Sequence, residues 1–161
     1  MTIDIGGLAI NRASYGGAEY TIINATNPAN ADGIITSIEV WAFATLEGLE
    51  VATFYAVDTD RFTTRDHYKI GSVAPGSKQT FSGLSIAVAA GDYLGHYIAA
   101  SSPSGYVELD TEGYSGYWYK AGDLIPCADI LFSFVAGRCC SVHGIGEEAP
   151  PPVGKRGWWS K

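Results

Sequence analysis

Ile34-Ile35-Thr36-Ser37-Ile38-Glu39-Val40-Trp41-Ala42-Phe43-Ala44 alternates with a period of two. Ile34, Thr36, Ile38, Val40 and Ala42 fall on one face, and Ile35, Ser37, Glu39, Trp41 and Phe43 on the other. Successive side chains of an extended chain point to opposite sides, whereas a helix repeats every 3.6 residues, so this stretch reads as a strand. Gly48 turns the chain, and Leu49, Val51, Thr53, Tyr55 and Val57 then alternate along a second strand. The two segments are expected to pair as an antiparallel hairpin around Leu46-Glu47-Gly48.

Working outward, further strands are expected over 20–24, 67–73, 79–88, 93–99, 105–109, 117–120, 130–136 and 140–145. They are separated by turn signals such as Asn27-Pro28, Pro75-Gly76, Gly91-Asp92 and Ala121-Gly122-Asp123. Short strands at even spacing predict an all-β fold, an antiparallel, jelly-roll-like β-sandwich of about 8–10 strands. Nowhere does a capped segment repeat apolar residues at helical spacing, so at most one helical turn is expected. The composition agrees: 20 glycines, 10 tyrosines and 4 tryptophans among 161 residues favour pleated strands and tight turns. The predicted domain runs over 1–146. From 147 to 161 the composition changes to a proline-rich linker, Pro150-Pro151-Pro152, and a tail carrying Trp158 and Trp159.

A net charge of -7 lacks the basic footprint that phosphate neutralisation needs, so nucleic acid is not expected as a partner. No apolar run approaches the roughly 20 residues that span a bilayer, and membrane insertion is not expected. The first residues, Met1-Thr2-Ile3-Asp4-Ile5, carry an acid where a secretory signal is basic, so no signal peptide is expected in this chain. Cys127, Cys139 and Cys140 make an odd set. They are read as reduced, buried thiols, with a bridge from Cys127 to one of the adjacent pair as the alternative.

Several segments resemble a group of uncharacterised, β-rich, jelly-roll-like proteins of environmental microbial and phage-associated sequences. They include Thr26-Asn27-Pro28-Ala29-Asn30-Ala31, Ile35 to Trp41, Val51-Ala52-Thr53-Phe54, Thr64-Arg65-Asp66 and Ile70-Gly71-Ser72-Val73. Gly76 to Phe81, Ala90-Gly91-Asp92-Tyr93-Leu94-Gly95 and Gly122 to Cys127 complete the likeness, which covers about residues 20 to 146. That group closes with a Leu-Tyr-Gly-Thr-Gly-like strand where this chain has Val142-His143-Gly144-Ile145-Gly146. The resemblance implies a structural or adhesive part of a virion or extracellular surface.

Candidate chemistry is sparse. No nucleophile elbow surrounds a serine, and the histidines are only His67, His96 and His143, so no enzyme is expected. Asp58, Asp60 and Asp66 could offer oxygens to calcium, the only cofactor the residues suggest. Arg61 and Arg65 between them compensate the same charges without a metal, and that is the preferred reading. Cys139, Ser141 and His143 would share a strand face, but zinc-ligand spacings are missing, and buried cysteines beside a partly exposed histidine are expected. Glu108, Asp110 and Glu112 read as an exposed acidic strand face, not as a glycosidase pair. Asn24-Ala25-Thr26 fits a glycosylation sequon.

Tyr106, Tyr114, Tyr117 and Trp118 form the strongest candidate recognition surface, because flat rings stack on the apolar faces of sugars. Along a strand, however, Tyr117 and Tyr119 face one way and Trp118 the other, and one aromatic face buried with the other at a subunit interface is the preferred reading. The leading expectation is a non-catalytic structural or self-assembling protein of a phage-like particle or cell-surface appendage. It would be a homo-oligomer whose Trp158-Trp159 tail docks on a neighbouring subunit. The alternative is a carbohydrate-binding module with an aromatic platform.

Overall fold

A computed structural model describes residues 2–99 and 105–150. Thirteen strands follow one another among them: β1 (Thr2–Gly6), β2 (Ser14–Gly16), β3 (Tyr20–Asn24), β4 (Gly33–Trp41), β5 (Leu46–Asp58), β6 (Arg61–Val73) and β7 (Lys78–Phe81). β8 (Ile86–Val88), β9 (Tyr93–Ala99), β10 (Val107–Ala121), β11 (Ile130–Leu131), β12 (Ser133–Cys140) and β13 (Val142–Glu148) complete the order. No helix among the described residues is long and apolar enough to cross a membrane. The expected antiparallel β-sandwich is the observed architecture. The strand number exceeds the expected one because β1 and β2 precede the first expected strand and because edge segments split into short pieces: 79–88 becomes β7 and β8, and 130–136 becomes β11 and the start of β12. Conversely, the predicted strands at 105–109 and 117–120 are two ends of one bulged strand, β10.

The smaller sheet runs β1-β13-β4-β7, with β8 also along β4. The larger runs β11-β6-β5-β9-β3-β10-β12, with β2 beside the start of β10. β4 and β5 therefore do not form the expected hairpin. At Phe43 and Ala44 the chain turns from one sheet to the other, and both backbone N–H groups donate to the Tyr106 carbonyl. Corners of this kind are how a strand changes sheets in a sandwich. The true hairpin is the next pair, β5 with β6, turning at Thr59-Asp60.

Burial along β4 also departs from strict alternation. Ile35, Ile38, Val40 and Ala42 are fully buried, while Ile34 is 43% exposed. Between Ile145 and Gly146 the β13 register slips so that Ser37 and Ile35 face consecutive residues, which leaves Thr36 as the extra residue of a bulge. A bulge inserts one residue and reverses the face of everything before it. The sequence phase holds from Ile38 onward and inverts at Ile34 and Thr36.

Ile3, Ile5, Ile35, Ile38 and Val40 of the smaller sheet pack against Ile22, Leu49, Val51, Leu94 and Ile98 of the larger. A second core lies on the outer face of the larger sheet. There Ile23, Ala52, Phe54 and Phe62 are covered by Ile125 and Phe132 from the segment that joins β10 to β12. Burial on both faces explains the run Val51-Ala52-Thr53-Phe54, which is buried at every residue. Gly95 sits between the strands of this doubly covered region, where an added Cβ would lie 2.5 Å from the Phe54 ring and 2.7 Å from the Ile22 carbonyl oxygen. Overpacking of that kind costs about 1–3 kcal/mol. Gly95→Ala is therefore expected to lower the denaturant midpoint with little change in slope, and a midpoint equal to wild type would refute the close approach.

Candidate functional site

On the inner face of the larger sheet, β10 carries Tyr117 and Tyr119, with Tyr20 of β3 on one side and Arg138 of β12 on the other. Tyr15 of β2 and the Gly16-Gly17 turn close the end of a pocket of about 330 Å³. Ile22, Leu109 and Val135 form its apolar floor. The rings are mutually braced: Tyr20 meets Tyr119 edge-on at 6.2 Å, and Tyr119 meets Tyr117 edge-on at 6.1 Å. Tyr15 stacks on Phe43 at 4.0 Å with the planes 9° apart. Edge-to-face and offset pairs are favoured by the ring quadrupole, so these side chains hold their orientations before any ligand arrives.

Arg138 donates from Nη1 to the Tyr117 hydroxyl at 3.2 Å, and its guanidinium carbon lies 5.8 Å from that ring's centre. Burial, the largest influence, pushes the Tyr117 hydroxyl above its ordinary pKa, with Arg138 opposing. The phenol stays neutral at physiological pH. Beneath the pocket lies His96 of β9, paired with Ile22 of β3. It is 1% exposed, and its Nε2 has no hydrogen-bond partner among the described residues. That nitrogen would be 3.9 Å from a Cβ added at Gly17. Burial alone lowers the His96 pKa to about 4.

The four aromatic residues expected to make one platform are divided. Trp118 points to the opposite face from Tyr117, as strand alternation requires. It packs in the outer core on Phe62 at 4.6 Å and donates from Nε1 to Asp60 at 2.7 Å. Tyr106 lies against Tyr15, with centroids 5.3 Å apart, and Tyr114 takes the Arg12 guanidinium over its ring at 5.0 Å. Of the four, only Tyr117 lines the tyrosine pocket. Tyr15, Tyr20, Tyr119 and Arg138 were missed. The shared face of Tyr117 and Tyr119 was visible from their spacing, but the other three arrive from separate strands.

Asp58, Asp60 and Asp66 do not converge. Asp58 accepts from the Thr59 N–H, Asp60 from Trp118, and Asp66 from the N–H groups of His67 and Ala87. Among the described residues no group of three His, Cys, Asp or Glu side chains is placed to hold a metal ion. The arginines between them serve other acids, Arg61 pairing with Asp129 and Arg65 with Asp92, so the expected local compensation is replaced by longer-range pairs.

The acidic run on β10 is not an exposed face at its start. Glu108 is 4% exposed and accepts from the Arg12 backbone N–H, while Asp110 holds the Arg12 side chain at 2.8 Å. His143 is buried as well, with Nε2 at 2.7 Å from Asp4. Cys139, Ser141 and His143 do not share a strand, because the chain changes sheets between β12 and β13 at Ser141. All three cysteines are free thiols, and burial raises the pKa of each. Asn24 of the sequon is 2% exposed, donating to the Cys140 carbonyl, which closes it to modification in the folded chain.

β13 continues to Glu148, two residues past the expected domain end, because Glu147 and Glu148 pair with Ile34 and Gly33. There a second, mostly apolar hollow of about 590 Å³ opens between Ile34, Leu84, Val88 and Pro150, with Asp32, Glu147 and Glu148 on its lining. Trp158 and Trp159 lie outside the described residues. Comparison of the chain with protein-family models and with curated proteins finds no match.

Proposed function

We propose that this chain is a non-catalytic recognition module, displayed on a phage-like particle or cell-surface appendage, whose tyrosine pocket holds a sugar. The observation that carries the reading is the pocket itself. Braced tyrosine rings offer flat faces to the apolar side of a pyranose, and phenol hydroxyls and one guanidinium offer hydrogen bonds to its hydroxyls. Ligand sites are commonly concave, largely apolar and furnished with a few fixed polar groups, and 330 Å³ is near the small end of their range. One or two rings fit such a volume better than a long polymer. A non-catalytic role is supported by the occupation of the acids at the start of β10, since Glu108 and Asp110 both hold Arg12. We further assign the winding to the jelly-roll type, because the chain passes from sheet to sheet at β3 to β4, β4 to β5, β6 to β7 and β8 to β9.

A glycan array with wild type and Tyr20→Ala tests the reading. Tyr20 is 42% exposed, so its removal should leave the fold intact. Losing one stacking ring is expected to weaken binding about tenfold, comparable to aromatic contacts worth 0.5–1.5 kcal/mol beyond their buried area. Unchanged binding by the variant would remove the pocket as the site.

A second reading, self-assembly, is favoured by the hollow at the end of β13. Its acidic rim and apolar floor complement a segment in which Lys155, Arg156 and Lys161 flank Trp158 and Trp159. In this reading the tail of one copy docks in the hollow of the next, giving a homo-oligomer. Removing residues 151–161 should reduce the mass seen by light scattering, and Glu147→Lys with Glu148→Lys should do the same. An unchanged mass in both would sink it.

A further inference from the structure

We propose that the tyrosine pocket selects a carboxylate-bearing sugar, a uronic or sialic acid, through the guanidinium of Arg138. The inference rests on reading the pocket as a sugar site and names the charge of its ligand.

Four arginines lie in the described residues, and three are already committed. Arg12 is on Asp110 at 2.8 Å, Arg61 on Asp129 at 2.8 Å and Arg65 on Asp92 at 2.5 Å. Arg138 has no carboxylate within ion-pair reach among the described residues. Its single side-chain bond among the described residues is to the Tyr117 hydroxyl. A guanidinium presents five N–H donors in a planar fork that matches a carboxylate in two parallel bonds. Most of that fork is free here, while Tyr117 holds the plane.

The surroundings strengthen the case. Among the described residues every other one lining the pocket is uncharged, so Arg138 brings the one positive charge to that lining in a chain of net charge -7. An anion is repelled by most of this molecule's surface and attracted at this one concave place, which raises selectivity as well as affinity. The half-buried position of Arg138 against a ring and an apolar floor lowers the local dielectric, so the pair is screened less than a surface one. A neutral sugar could use the rings but would leave the guanidinium desolvated and unmatched.

The test compares methyl β-glucuronide with methyl β-glucoside, which differ only in carrying a carboxylate or a hydroxymethyl group at the same carbon. Titrations followed by NMR on wild type, Arg138→Gln and Arg138→Lys give the dissociation constants. Circular dichroism checks that the variants are folded. Wild type is expected to prefer the glucuronide by about tenfold or more, as hydrogen bonds to a charged group allow. Arg138→Gln should erase the preference, lowering the affinity for the glucuronide well beyond any loss for the glucoside, and Arg138→Lys should restore part of it. Equal binding of the two sugars by wild type, or a preference that survives Arg138→Gln, overturns the inference and leaves the sugar reading standing. Failure of wild type to bind either methyl glycoside and every glycan on an array overturns both.

Discussion

Arg12→Met is expected to lower the free energy of unfolding by about 3 kcal/mol, the lower end of the cost of removing one partner from a buried ion pair. Arg12 lies in the segment between β1 and β2 that belongs to neither sheet, and its side chain is 1% exposed. Nε donates to Ser141 Oγ at 2.7 Å, Nη1 to Asp110 at 2.8 Å and Nη2 to the Leu8 carbonyl at 2.8 Å. Burial, the largest single influence, would lower the Arg12 pKa, but the bond to Asp110 together with the neighbouring Cys139 and Tyr114 outweighs it and the net shift is upward, so the charge persists. One side chain thus joins the start of the chain to β10 and to the corner where β12 becomes β13. Asp110 keeps 24% exposure and can be rehydrated, which holds the expected loss to the lower end.

Urea denaturation measures the loss directly, and a midpoint unchanged from wild type would contradict it. Arg12→Met combined with Asp110→Leu should recover part of the stability, since no charge is then left behind. A second readout is local. The same segment covers Cys139, whose sulfur would be 2.5 Å from a Cβ added at Gly7. Loosening it should speed thiol labelling of Cys139 under native conditions, where wild type is protected by burial.

Sequence patterning carried the fold class well and the sheet assignment poorly, for physical reasons. Alternation and turn residues report the local extended state, so β3 and β9 fall at their expected bounds, Tyr20–Asn24 and Tyr93–Ala99. Whether two neighbouring strands pair or part at a corner depends on distant backbone. The turn at Phe43 is held by the carbonyl of Tyr106, more than sixty residues away, and nothing in the segment itself announces that bond. The phase error at Ile34 has a similar origin, because the bulge at Thr36 is a property of the ladder with β13.

The candidate site was legible in part. Tyr117 and Tyr119 share a face by strand periodicity, and Trp118 must face away, so the supposed platform contained its own division. Tyr15, Tyr20 and Arg138 become neighbours only through the order β3-β10-β12 and the attachment of β2 to β10. Glu108 looked like part of an exposed acidic strand because its partner, the backbone N–H of Arg12, comes from a segment with no periodicity to read.

Stability should fall by roughly 3 kcal/mol as the pH is lowered from 6.5 to 4, and His96 is the residue responsible. Its folded pKa, about 4, is below the ordinary value of 6.5 because burial penalises the imidazolium. A group whose neutral form is favoured by folding contributes stability that is fully present above its unfolded pKa. That contribution disappears as the pH drops toward the folded value, because the unfolded chain takes up the proton first. At 1.36 kcal/mol per unit, a difference of about 2.5 units sets the magnitude. Asp4 has the same downward sense of shift but a lower window. Burial would raise its pKa, the bonds from His143 and Asn27 outweigh that, and its contribution is lost only below its ordinary value of 3.8. Unfolding free energies measured at several pH values should therefore show a slope between 6.5 and 4 that His96→Leu flattens. A slope that persists in the variant would assign the acid sensitivity elsewhere. Because His96 pairs with Ile22, the floor of the tyrosine pocket, the same protonation loosens β3 against β9 beneath the site. Affinity for any pocket ligand should then decline with stability over this window in wild type and hold more nearly level in His96→Leu.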